Sequence, residues 1–222
     1  MQAPNRHPTR VVVMASGTGS NLQAILDACA TGGLDAHVVA VVSDKDNAYA
    51  LKRAADAGVP SVHVGPHPGE DRGDYDSRLA DVVSGFAPDL IVLAGWMRIL
   101  TNAFLGWFPN AVINLHPALP GELPGTRSVE RAWHEALAGE RTRTGVMVHR
   151  VPDEGVDDGP VLATVEVPIN LDDTFESLQA RIHAAEHRLL VDAIRGLIAP
   201  SPTTNEDETE DAPPDDTKAT SP

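Results

Sequence analysis

The sequence predicts an open α/β sheet of Rossmann-like type, mostly parallel, with helices on both faces and an antiparallel C-terminal portion. Three observations predict it. Short continuous apolar runs such as Val11 to Ala15 and Leu90 to Ala94 read as strands buried on both faces. Segments with apolar residues at helical spacing alternate with them, which implies parallel crossovers. In the last third, two strand-like runs are joined by a loop short enough for antiparallel pairing.

Val11-Val12-Val13-Met14-Ala15 is the first strand, and it ends in the turn-rich run Ser16 to Asn21. Leu22, Ile25, Leu26 and Cys29 follow at i, i+3, i+4 and i+7, the stripe of an amphipathic helix closed near Gly32-Gly33. Val38 to Val42 completes a βαβ unit. Helical spacing returns over Ala50 to Ala57 before Gly58, and Val62-His63-Val64 is a short third strand. Tyr75, Leu79, Val82, Val83 and Phe86 form another helical stripe, ended by Pro88. Leu90 to Ala94 and Ala111 to Leu115 are buried strands. Gly145 to Val151 and Val161 to Ile169 are the antiparallel pair around the acidic loop Pro152 to Pro160. Leu178, Ile182, Ala185 and Leu189 place a last helix against the body.

The chain has 222 residues, 42% of them apolar, which suits one domain plus a tail. Its formal net charge is −15, and Pro200 to Pro222 contributes seven acids against one lysine. That segment has too little apolar surface to offset the entropy of ordering, so a disordered acidic tail is expected after a domain spanning residues 10–199. Acidity argues against non-specific nucleic-acid binding, which runs on Lys and Arg. No run approaches the roughly 20 apolar residues of a membrane span, and Met1 to Arg10 has no signal-peptide core, so a cytoplasmic location is expected. The single Cys29 excludes a disulfide framework and a cysteine-rich zinc site.

Two places carry candidate chemistry. A strand that enters a Gly-rich loop opening a helix offers free N–H groups and a partial positive charge to an anion, and Ser20 and Asn21 add side-chain donors. The same loop also reads as a tight turn with an N-cap. A dinucleotide fingerprint fails because Leu22 stands at the third glycine position, with Asp44 only weak support for a ribose contact. A mononucleotide-sized phosphate fits better. Second, Asn114 and His116 lie two apart at a strand's carboxyl end, so they leave on one face where such sheets bind ligands. An amide donor and a proton carrier there suit a developing oxyanion. Asp153, Glu154, Asp157 and Asp158 crowd the acidic loop, either as a solvated turn or as the source of a carboxylate for that histidine.

Together the runs VVVMASGTGSNLQAIL, AGWMRIL at 94–100, INLHPALPGELPG at 113–125 and the D-x-G-P of Asp157 to Pro160 resemble the phosphoribosylglycinamide formyltransferases, a folate-dependent formyltransferase family. The resemblance runs in register from about Arg10 to Ala199. It implies transfer of a formyl group from 10-formyltetrahydrofolate to the amine of phosphoribosylglycinamide, with the folate as co-substrate and no metal. By motif, Gly19, Ser20, Asn21 and Glu186 match positions that bind the ribonucleotide. Arg72, Met97, Arg98, Ile99, Leu100 and Asn114 match formyl-folate positions, and Asn114, His116 and Asp157 match the catalytic trio. The partners implied are small molecules, with no nucleic acid and no membrane, and a monomer or homodimer. One loop departs from the family pattern: Ala118-Leu119-Pro120-Gly121 stands where S-L-L-P is common. Related enzymes formylate methionyl-tRNA or hydrolyse the folate. The first carries a C-terminal RNA-binding domain where this sequence has an acidic tail. The second carries a regulatory domain in front, for which a first strand at Val11 is expected to leave no room. A non-catalytic nucleotide-binding domain is the reading from another class.

Overall fold

The computed structural model describes residues 7–170 and 172–199. Seven strands form one sheet in the order β3-β2-β1-β4-β5-β6-β7. They are β1 (Thr9–Met14), β2 (Ala36–Ser43), β3 (Ser61–His63), β4 (Leu90–Leu93), β5 (Val112–His116), β6 (Arg143–Arg150) and β7 (Val161–Pro168). The first five are mutually parallel, whereas β6 runs antiparallel to both β5 and β7. The expected mixed sheet is what forms. The acidic tail expected over Pro200 to Pro222 lies outside the described residues.

Side-chain alternation along β1 shows why the strand reads as unbroken apolar sequence. Val11, Val13 and Ala15 enter one core, and Val12 and Met14 enter the other. The first core is closed by α1 (Ser20–Ala30), α2 (Tyr49–Asp56) and α6 (Phe175–Ile198) through Leu22, Ile25, Ala50, Leu178 and Ile182. The second is closed by α3 (Arg72–Ser84) and α4 (Asn102–Leu105) through Tyr75, Leu79, Val83 and Phe104. Burying each such side chain contributes about 1.5–3 kcal/mol. Along α6, Leu190 is fully buried, and the expected Leu189 packs only half-buried beside it. A capping box between Thr174 and Ser177 starts this helix.

Two helices were absent from the sequence reading, α4 and α5 (Ser128–Leu137). Helix α5 lacks a start signal, because its N-cap is Arg127 in the left-handed region (φ 55°) with no side-chain cap. Its fully buried residues are only Ser128 and Ala132, so the apolar stripe is faint.

Candidate active site

The parallel strands end at one edge of the sheet, and a cavity of about 250 Å³ opens there. Asn21 and Glu186 line it from α1 and α6, Gly95 to Leu100 from the loop after β4, and Asn114 and His116 from the end of β5. Asp153, Gly155, Val156 and Asp157 come from the acidic loop between β6 and β7. Four of the expected motifs therefore meet at one place.

Asn114 and His116 share a face because they sit two apart on β5. The carboxylate reaches them because the β6–β7 loop folds back over that strand end. Gly159 permits this return: a Cβ there would stand 2.0 Å from the Arg150 carbonyl oxygen, so no other residue fits. Asp157 itself adopts φ 56°, a left-handed conformation that is uncommon for a residue with a side chain. Its Oδ2 accepts the Gly125 N–H at 2.7 Å and lies 3.3 Å from Nδ1 of His116. Its Oδ1 accepts from the Asn114 amide at 3.0 Å.

The four acids of the loop do different things. Asp153 accepts the Gly155 N–H within the turn, and Glu154 accepts the Asn102 N–H at the start of α4. The Asp158 carboxylate lies over Gly155, close enough to obstruct any Cβ at that position. Only Asp157 is within ion-pairing distance of His116.

His116 is almost fully buried (4% exposed), and its Nε2 donates to the Leu123 carbonyl at 3.0 Å. Burial pushes the imidazole below its ordinary pKa, and Asp157 and the Leu123 carbonyl pull it partly back. Burial alone would raise the Asp157 carboxyl. The Gly125 N–H and His116 outweigh that, so the group is held below the usual carboxylate range.

His149 was missed. It lies directly across the β5–β6 ladder from Asn114, 2% exposed, with Nε2 3.1 Å from the Asn114 amide nitrogen and 3.5 Å from Asp157 Oδ1. Nδ1 donates to the Arg150 carbonyl at 2.8 Å, so in the neutral ring Nε2 is the acceptor. Both amide hydrogens of Asn114 are therefore engaged, one by Asp157 and one by His149. The sequence carries no local signal for it, because the residue opposite Asn114 is defined only by the register of β6 against β5.

The ribonucleotide-matching residues surround the N-terminus of α1. Gly19 is the N-cap with φ 70°, and a Cβ there would lie 2.8 Å from Ala50 Cα. No side chain caps the helix, which leaves its first N–H groups to a ligand. The Arg53 guanidinium donates to the Thr18 carbonyl at 2.8 Å and steadies the loop. Asn21 donates to Glu186 at 3.3 Å, and Asn21 and Glu186 reach the cavity, whereas Gly19 and Ser20 do not line it. Burial raises the Glu186 carboxyl, against the opposing pull of His183 and Asn21.

Met97 to Leu100 line the cavity, with Met97 and Ile99 exposed at its rim. Three contacts hold this segment: Ser16 Oγ accepts the Met97 N–H at 2.9 Å, Arg98 stacks over the Tyr75 ring at 4.7 Å, and Arg72 donates to the Ile99 carbonyl at 2.8 Å. Arg72 thus supports the cavity wall without lining it. Asp44 is buried at the end of β2 and does not line the cavity either. Among the described residues, no group of three or more His, Cys, Asp or Glu side chains is placed to hold a metal ion.

A ligand cavity at the carboxyl edge of an open α/β sheet places the chain in the broad class of doubly wound α/β enzymes. Residues 9–194 match the formyl transferase family model, and the chain belongs to that family. It is 46% identical over 202 residues to a phosphoribosylglycinamide formyltransferase of Schizosaccharomyces pombe, covering 85% of this chain and 96% of the relative. A trifunctional purine biosynthetic protein of Drosophila melanogaster is 40% identical over 191 residues, which is 85% of this chain and 14% of that longer protein. The solved glycinamide ribonucleotide transformylase 1 of Symbiobacterium toebii superposes with a TM-score of 0.79 at 40% identity, covering 85% and 87% of the two chains.

Proposed function

We propose that the protein transfers the formyl group of 10-formyltetrahydrofolate to the amine of phosphoribosylglycinamide, a step of purine biosynthesis in the cytoplasm. The observation that carries this reading is the contact set of Asn114, His116 and Asp157 in one cavity with Asn21 and Glu186, where Asn21 stands in the first turn of the uncapped helix α1. An uncapped helix end suits a phosphate, and buried Glu186 beside Asn21 suits ribose hydroxyls. The wall of Leu93, Trp96, Met97, Ile99, Leu100 and Val156 suits a flat folate ring.

The chemistry follows from where the groups point. As the amine attacks the formyl carbon, negative charge grows on the formyl oxygen. The positive charge of protonated His116 and the Asn114 amide stabilise it. Asn114 must release one hydrogen to do so. The contact to the His149 ring nitrogen is weaker than the one to the Asp157 carboxylate and is the one surrendered. Asp157 keeps the imidazolium in place. The proton lost by the amine passes to the departing folate nitrogen through His116 or a water beside it.

The experiment is the rate of ribonucleotide formylation by Asp157→Asn beside Asp158→Asn. The expected result is a kcat loss on the order of 10²- to 10⁴-fold for Asp157→Asn, with ribonucleotide affinity kept, and near-parent kinetics for Asp158→Asn. The opposite pattern would contradict the placement of the carboxylate.

A further inference from the structure

We propose that Arg131 is a positioning residue for this reaction, acting on His116 and Asp157 through the backbone of Leu123 to Gly125. The inference rests on the formyl-transfer reading above. Arg131 lies on α5 and does not line the cavity. Its guanidinium Nη2 donates to the Leu123 and Pro124 carbonyls, both at 2.6 Å, and its Nε is buried without a partner among the described residues. A half-buried guanidinium ordinarily finds a carboxylate. This one has no carboxylate within ion-pairing distance among the described residues and spends its donors on two main-chain carbonyls instead.

Those carbonyls belong to the segment that holds both members of the candidate acid–base pair. The Leu123 oxygen accepts from His116 Nε2 and from Arg131, one donor for each lone pair. Two residues on, the Gly125 N–H donates to Asp157. Leu123 stands at φ 46°, a left-handed conformation that a leucine does not keep without restraint. Without the guanidinium, this backbone is free to relax, carrying with it the carbonyl that tilts the imidazole and the amide that aims the carboxylate. The far half of the loop is tied down separately. Glu122 pairs with Arg141 and Arg143, and Leu119 packs where a Cβ on Gly145 would otherwise stand. Loss of Arg131 should therefore disturb the catalytic end of the loop and leave the rest in place.

The test uses the full chain as Arg131→Ala and Arg131→Lys, with steady-state formylation of phosphoribosylglycinamide measured with and without millimolar guanidinium chloride. The expected result for Arg131→Ala is a kcat loss on the order of 10²-fold, the scale of an ångström-level misplacement. KM for the ribonucleotide should stay within about threefold, because the cradle on α1 is untouched. Added guanidinium should restore kcat at least several-fold in Arg131→Ala and leave Arg131→Lys and the parent unchanged. Unaltered kcat in Arg131→Ala would overturn the proposal. So would a loss that guanidinium does not relieve and that follows the melting temperature, which is the signature of a structural residue only. A parent protein that fails to formylate the ribonucleotide would overturn the functional reading instead, and the two failures are distinct.

Discussion

His116 carries an internal conflict that two loops beside it resolve. Burial disfavours its charged form, yet both ring nitrogens face acceptors, the Leu123 carbonyl and the Asp157 carboxylate. Because the folded pKa lies below the unfolded value of about 6.5, the group contributes stability above that pH and loses it as pH falls through the folded value. Asp157 is also depressed, so its contribution persists further and is lost only at lower pH. Urea titrations at pH 7 and pH 5 should show the parent losing stability between them and His116→Asn losing less. Equal losses would mean that the histidine is not strained by burial. His149→Ala should lower kcat about 3- to 10-fold, the worth of one neutral hydrogen bond. Asn114→Ala should cost 10²- to 10³-fold if it is an oxyanion donor. His116 and Asn114 were legible because they end a strand two residues apart. His149 was not, because its importance exists only in the register of β6 against β5.

At the level of elements, legibility followed the strength of the apolar pattern. Strands β1 and β4, apolar on both faces, were found within two residues of their ends. Helix α5 escaped, and with it the role of Arg131, because alanine and serine supply its burial and a left-handed arginine stands where a capping residue would announce it. The loop Pro117 to Gly125, which departs from the family pattern, is held by ion pairs from Glu122 to Arg141, just before β6, and to Arg143, its first residue, which no local rule foresees. The turn into α1 was legible, and its steric reason adds a test. Gly19→Ala must take a left-handed conformation, which costs about 1–2 kcal/mol, and must push against Ala50. We expect the melting temperature to fall and KM for the ribonucleotide to rise at least tenfold, with kcat at saturation changed less. Steady-state kinetics with a melting curve checks this, and an unchanged KM would remove the helix N-terminus from the binding site.

On the scale of the whole molecule, one sheet separates two cores, and at its carboxyl edge a cavity is lined by Asn21 of α1 and by the loops after β4, β5 and β6. Helix α6 closes the first core through Leu190 and Ile194 and ends at Ile198. By its sequence, the acidic segment from Pro200 has little apolar side chain to add to a core. Deleting residues 200–222 is therefore expected to leave kcat and melting temperature within error of the full chain, and a tenfold kcat loss, about 1.4 kcal/mol of barrier, would show that the segment reaches the site. No helix among the described residues is long and apolar enough to cross a membrane. What remains is the choice of formyl acceptor, which the proposed function assigns to the N-terminus of α1 and Glu186. The most direct measurement gives the full chain 10-formyltetrahydrofolate with phosphoribosylglycinamide, methionyl initiator tRNA or water alone, and follows formylated product and tetrahydrofolate. The account predicts rapid formylation of the ribonucleotide and background rates with the other two. Turnover with the tRNA or with water, and none with the ribonucleotide, would contradict it.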